Sequence, residues 1–211
     1  MTMNKFTHIE NEKLINAQEE YKQKDYLSVT KLTGKLSEDG IAEWRRKVGD
    51  EVADRIMKNA SERGLNIHNL IEDYLNNKEI MIPENAIDHY YTFKAMKPEL
   101  NKINNIQGLE LKMFSDEYKL KGRCDCFAEY DGKLSMIDFK TSKKIKKKSW
   151  LDAYFIQATA YCEMVREHTN LEIDNIVLIF GITDYNTCKI ESEKPQNFLK
   201  ELIRINNEYN S

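Results

Sequence analysis

Asp125, Asp138 and Lys140 are the residues of this sequence whose types and spacing most suggest a reaction. Asp138 and Lys140 stand one residue apart in Ile137-Asp138-Phe139-Lys140-Thr141-Ser142, and Asp125 closes the stretch Gly122-Arg123-Cys124-Asp125. Along a β-strand, residues i and i+2 share a face, so Asp138 and Lys140 project together while Phe139 points into the opposite layer. Between the two stretches lies Asp131-Gly132, a hairpin signal, and symmetric pairing about it sets Asp125 near Asp138. Two carboxylates meeting in a strand-rich core repel each other and are costly to desolvate unless a cation neutralises them. Hard oxygen ligands of this kind suit Mg²⁺, with Mn²⁺ as a substitute. A lysine beside such an ion orients or helps activate water and offsets charge building on a phosphate. The chemistry implied is metal-assisted hydrolysis of a phosphodiester. A lone D-x-K is far more often an ordinary surface alternation with a salt bridge, so the weight falls on its surroundings.

The positioning elements follow from periodicity. Residues 106–114 carry apolar side chains at 109, 111 and 113, which is strand alternation. Residues 118–130 read as a second strand and 133–139 as a third. Helix spacing returns over 150–167, then a buried strand over 176–182, a short edge strand over 187–190 and a closing helix over 195–207. Upstream, residues 40–63 show apolar positions at 41, 44, 48, 52, 56 and 57, helix spacing that Gly64 is expected to stop. A second helix spans 66–75 through Ile67, Leu70, Ile71, Tyr74 and Leu75. A third starts at Pro83 and runs toward Met96, with Ile87, Tyr90, Tyr91 and Ala95 inward. The prolines at 83, 98 and 195 are each expected at an element boundary. The pattern predicts an α/β fold, a mixed central β-sheet flanked by helices. A mainly helical N-terminal lobe takes residues 1–104 and an α/β core 105–211, with no linker to divide the single domain 1–211.

Taken together, the motifs resemble the PD-(D/E)-x-K nuclease superfamily in its RecB-like branch. They are a glutamate by the first strand (Glu110), G-x-x-D on the second (Gly122 to Asp125), D-x-K-T on the third (Asp138 to Thr141) and Q-x-x-x-Y on the next helix (Gln157 and Tyr161). A histidine upstream, in Arg63-Gly64-Leu65-Asn66-Ile67-His68, completes the set. Nearer still are the mitochondrial genome maintenance exonuclease family and its phage and bacterial relatives. They share Ser28-Val29-Thr30, the W-R-x-x-x-G helix from Trp44 to Gly49, the stretch Gly64 to Leu75, and Asp138 to Ser142. The resemblance covers about residues 26–182, and order and spacing together make it specific.

It implies a restriction-endonuclease-like core. His68, Asp125 and Asp138 would be metal ligands with the Phe139 carbonyl, and Lys140 the catalytic lysine. Glu110 would act through metal-bound water, while Gln157 and Tyr161 orient Lys140 or the scissile phosphate. Residues 157 and 161 do share a helix face. Alone, His68, Gln157 and Tyr161 would read as structural residues. Cys124 departs from the apolar residue or threonine common at its position, and should point away from Asp125.

A basic run follows the third strand. Lys140, Lys143, Lys144, Lys146, Lys147 and Lys148 place six lysines in nine residues after and including the D-x-K, with Ser142 among them and Trp150 close behind. Such a loop grips a DNA backbone and its aromatic can stack on an unpaired base. Arg45, Arg46 and Lys47 on the first long helix form a weaker second patch, as readily a plain solvated face. The formal net charge of -3 gives no global sign of a nucleic-acid partner, so that expectation is local. None of the four cysteines forms a C-x-x-C pair, which argues against structural zinc, an iron–sulfur cluster or a redox role. The longest apolar run is five residues, too short for a membrane span, and the first residues carry no export signal, so the cytoplasm is expected (a host's, if phage-encoded).

The resulting expectation is a Mg²⁺-dependent deoxyribonuclease, an exonuclease preferring single-stranded DNA and leaving 5′-phosphates, with a recombination or replication protein as partner. A double-strand exonuclease, a structure-selective endonuclease and a non-cleaving DNA-binding relative are the alternatives.

Overall fold

Asp131 and Gly132 adopt φ of 51° and 77°. This left-handed pair matches the twist of the strands it joins, and the expected hairpin forms around it. In the computed structural model, which describes residues 6–82 and 86–210, that hairpin joins β3 (Leu120–Tyr130) to β4 (Lys133–Ser142). Before it come α1 (Glu12–Glu20), β1 (Leu27–Ser28), α2 (Val29–Gly34), α3 (Glu38–Val48), α4 (Asp50–Leu75), α5 (Ile87–Leu100) and β2 (Ile103–Ser115). After it come α6 (Asp152–Thr169), β5 (Ile176–Ile182), β6 (Thr187–Glu193) and α7 (Gln196–Asn210).

The sheet runs β1-β3-β4-β5-β6, with β2 also paired to β3. β1 with β3 and β4 with β5 are parallel and the other pairs antiparallel, so the sheet is mixed, as in a restriction-endonuclease-like fold. One face is covered by α1, α2, α6 and α7, and the other by the second half of α4 with α5. β5 is buried throughout, which its unbroken apolar run requires.

Several helix expectations are corrected. The stretch 40–63 is not one helix: Gly49, at φ 84°, separates α3 from α4. Gly64 does not stop a helix, because α4 runs through it as 26 residues, and an added Cβ there would meet nothing nearer than Thr141 Oγ1 at 3.8 Å. In α5 the buried residues are Thr92, Phe93, Met96 and Leu100, while Ile87 and Tyr91 are exposed, so the packed face is rotated from the expected one. The expected start at Pro83 lies outside the described residues. Pro98 sits inside the last turns of α5 rather than at a boundary. On α3 and the first half of α4 the apolar stripe of Ile41, Val52, Ile56 and Met57 faces solvent.

Two features of the sheet prepare a site. β4 pairs with β3 only as far as Ile137 opposite Cys126, and β1 takes over at Leu120 and Lys121. Gly122 to Asp125 therefore have no strand partner on that edge, and the sheet is split there. The alternation also breaks. Leu109 and Cys126 pack against the α4–α5 side, whereas Leu111 and Cys124 pack against the α6 side. Two residues apart in a regular strand would share a face. Glu110, at φ 52°, flips β2 at this point, opposite Asp125. The expected single face for 109, 111 and 113 is thus corrected.

Candidate active site

β4 carries the central pair. Asp138 is buried on the α6 side, and Lys140 Nζ donates to its Oδ1 at 2.8 Å. The same Nζ lies 2.6 Å from Oδ2, so the ammonium bridges both oxygens of the buried carboxylate. Burial pushes the Asp138 carboxyl up to about 6, with Lys140 pulling against that and Asp125 adding to it. Burial alone would lower the Lys140 ammonium, but Asp138 and Asp125 outweigh it and hold it above its ordinary value. Lys140 is therefore firmly charged.

Across the split, Asp125 does for β4 what a strand backbone would have done: its Oδ2 accepts from the Phe139 N–H at 2.8 Å. α4 brings His68 to the same place from the other side of the sheet. Its Nε2 lies 2.9 Å from the Phe139 carbonyl and its Nδ1 3.8 Å from Asp125 Oδ1. A carbonyl only accepts, so Nε2 carries a proton, and Nδ1 is the ring nitrogen that faces Asp125. Glu110 completes the group: one ligand atom each from His68, Glu110 and Asp125 lie within 4.8 Å of one another. Burial, then Asp125, raise the Glu110 carboxyl. An imidazole nitrogen and the carboxylates of Glu110 and Asp125 are a donor set that fits a hard divalent cation, while the Asp138 carboxylate, paired with Lys140, lies outside that group of three.

α6 closes the floor. Tyr161 is buried, and a Cβ on Gly122 would come within 2.7 Å of its Cε1, so the glycine of G-R-C-D is what gives this ring its place. Gln157 Nε2 is 3.5 Å from Tyr161 Oη. Burial raises the Tyr161 phenol, which stays neutral. Cys124 is buried beneath, its thiol raised well above the ordinary value by burial.

The lysine loop leaves the end of β4 beside this site. Its backbone is tied to the β5–β6 turn by the Thr183 and Asp184 N–H groups, which donate to the carbonyls of Ser142 and Lys143. Ser142 Oγ donates to the Lys144 carbonyl at 2.7 Å. Lys143, Lys144 and Lys147 are exposed, as is Trp150, whose ring lies 5.9 Å from Lys147 Nζ. Lys148 reaches Glu193 at 3.4 Å and Lys146 bonds to Tyr154 Oη. Arg45 is on α3, committed to Asp50 and Asp54 at 2.8 and 2.7 Å, and Arg46 is exposed beside it. Neither is brought into the group formed by Asp125, Asp138, Lys140, Glu110, His68 and Phe139.

Three neighbours escape a reading of motifs. Tyr154 lies between cations, its ring 4.9 Å from Lys140 Nζ and 4.6 Å from Lys146 Nζ. The signal was there, since 154, 157 and 161 fall on one helix face. Arg123, an unassigned position of G-x-x-D, places Nε 2.8 Å from Glu110 Oε2. Arg63, on α4 beside Gly64, buries its Nε without an acceptor, and burial lowers its guanidinium. No sequence pattern marks either arginine.

A split mixed sheet with an aspartate and a D-x-K across the gap defines a class of phosphodiester hydrolase. The family model of the PD-(D/E)XK nuclease superfamily matches residues 18–197. The chain belongs to that superfamily. It is 31% identical over 111 residues to mitochondrial genome maintenance exonuclease 1 of Mus musculus, covering 53% of this chain and 29% of that protein. With the Homo sapiens protein of the same name it shares 27% over 139 residues, 62% of this chain and 40% of the other. The chain thus spans well under half the length of the curated relatives it matches. The crystal structure of SSO0001 aligns over 92% of this chain and 85% of its own at 14% identity and a TM-score of 0.37, too remote to bear on the site. Among the described residues no helix is long and apolar enough to cross a membrane.

Proposed function

We propose that this chain is a divalent-cation-dependent DNA exonuclease acting on single strands and leaving 5′-phosphate ends, built as one nuclease domain. The observation that carries the reading is the meeting of Asp125, Asp138, Lys140, His68 and Glu110 at the split between β3 and β4. The exonuclease part is supported by the name shared by its two relatives. The single-domain part is supported by the Thr7–Ile106 and Ile9–Ile106 backbone bonds, which tie the N-terminal segment to β2.

In this reading Asp125, Asp138 and His68 hold the cation, Mg²⁺ or Mn²⁺, with Glu110 and the Phe139 carbonyl beside them. The cation, when bound, neutralises phosphate charge and acidifies a water. Lys140, held charged by Asp138, donates hydrogen bonds toward the phosphate oxygens and the attacking water rather than accepting a proton. Gln157 and Tyr161, backed against Gly122, fix the wall on which Lys140 rests. Lys143, Lys144 and Lys147 neutralise neighbouring phosphates, and Trp150 offers a stacking face.

The test uses 5′- and 3′-labelled single and double strands, linear and circular, with Mg²⁺, Mn²⁺ or EDTA. Linear single strands should be shortened from an end, circles left whole, and EDTA should stop the reaction. Lys140→Ala and Asp138→Ala should lower kcat by about 10²–10³-fold or more. Cleaved circles would overturn the exonuclease assignment, and undiminished variants would overturn the site.

A further inference from the structure

Glu110 is a largely buried carboxylate on a left-handed backbone (φ 52°), a conformation that strains a non-glycine residue and needs surrounding structure to hold it. What holds its side chain is Arg123. The two strands place Arg123 opposite Lys112, two positions along from Glu110, and the guanidinium crosses that diagonal to put Nε 2.8 Å from Oε2. Arg123 lies on the β3 stretch that no strand joins on its other edge, two residues before Asp125. Its side chain is 59% exposed against 20% for Glu110. Among the described residues Glu110 is its one ion-pair partner.

We infer that Arg123 is a positioning residue: by holding one carboxylate oxygen of Glu110 it aims the group at His68 and Asp125, and so sets the affinity of this centre for a divalent cation. The inference rests on the metal-binding reading of the site proposed above. A carboxylate beside a metal is commonly fixed by such an outer partner, whose loss weakens binding about 10–100-fold. The opposite effect is physically distinct. If Arg123 merely competed with the cation for Glu110, its removal would make the centre more negative and tighten binding. The planar guanidinium also differs from an ammonium, which supplies charge without a fixed direction.

The experiment is calorimetric titration of Mn²⁺ into the metal-free, DNA-free protein, so that no turnover is read. Arg123→Gln should weaken Mn²⁺ binding at least tenfold, and Arg123→Lys should recover part of that loss. In a Glu110→Gln background, Arg123→Gln should add little, because the group it positions is no longer a carboxylate. Circular dichroism and the melting temperature in EDTA report whether each variant folds, and Arg123's exposure makes an intact fold the expected result. Unchanged or tighter Mn²⁺ binding by Arg123→Gln overturns the inference, as does a full additional loss in the Glu110→Gln background. Wild-type protein that takes up no Mn²⁺ would instead remove the metal reading of the whole site.

Discussion

Asp138 shows what burial asks of one side chain. Its carboxyl is held at about 6 against an ordinary 3.8, so the folded state binds the proton more tightly than the unfolded chain does. The contribution to stability is then most favourable below about pH 4. It falls as pH rises through the interval to 6 and is most unfavourable above it. In EDTA, the melting temperature of wild type should fall relative to Asp138→Asn as pH is raised from 4 to 7. A constant difference would show that the carboxyl is not perturbed. Gly122 makes the complementary point about shape. Gly122→Ala would press a methyl group to 2.7 Å from Tyr161 Cε1. Overpacking of this kind costs about 1–3 kcal/mol, read by urea denaturation, and a fully stable Ala variant would show that Tyr161 is not seated as described. The residues legible from their own chemistry are those whose signals are local: D-x-K from strand alternation and Asp125 from its place across a hairpin turn, whereas His68, Gln157 and Tyr161 are marked only by the family resemblance. Arg123 and Tyr154 went unseen because each acts through a partner far off in sequence or on another element, Glu110 for one and Lys146 for the other.

Two glycines separate what a helix pattern can and cannot say. Gly49 and Gly64 both interrupt apolar helix spacing, yet only Gly49 breaks the helix, because only it takes a positive φ. Gly49→Ala should destabilise the protein by about 1–3 kcal/mol, since φ 84° with ψ 148° is a region that only glycine adopts without strain. Gly64→Ala should stabilise it by about 0.5–1 kcal/mol, since the position is helical and the nearest atom to a new Cβ is 3.8 Å away. Chemical denaturation of both variants checks the pair, and equal effects would contradict it. The hairpin, β5 and the closing helices were legible because turn chemistry and periodicity specify them locally. The split of the sheet was not. It depends on where β1 and β4 stop pairing with β3, and on the flip at Glu110, which the apolar alternation of 109, 111 and 113 conceals. The sequence pattern therefore predicts the strands and misses the irregularity that makes room between them.

For the molecule as a whole, a formal charge of -3 beside a local lysine run means that the proposed nucleic-acid binding rests on that run rather than on overall charge. The acidic centre lies beside that run, so in the proposed reading phosphates held by the loop would meet carboxylates that repel them unless a cation stands between. In EDTA, binding of a single-stranded oligonucleotide should weaken with salt. Replacing Lys143 and Lys144 by alanine should reduce the slope of log K against log salt by about 0.7 for each phosphate that is no longer neutralised. An unchanged slope would place the binding surface elsewhere. Whether the split sheet holds a divalent cation is read from an anomalous-difference map of a crystal soaked in Mn²⁺. A peak is expected at about 2.0–2.4 Å from oxygens of Asp125 and its neighbouring carboxylates, beside His68. No peak between β3 and β4, or a lone peak on another part of the molecule, would remove the cation from this site.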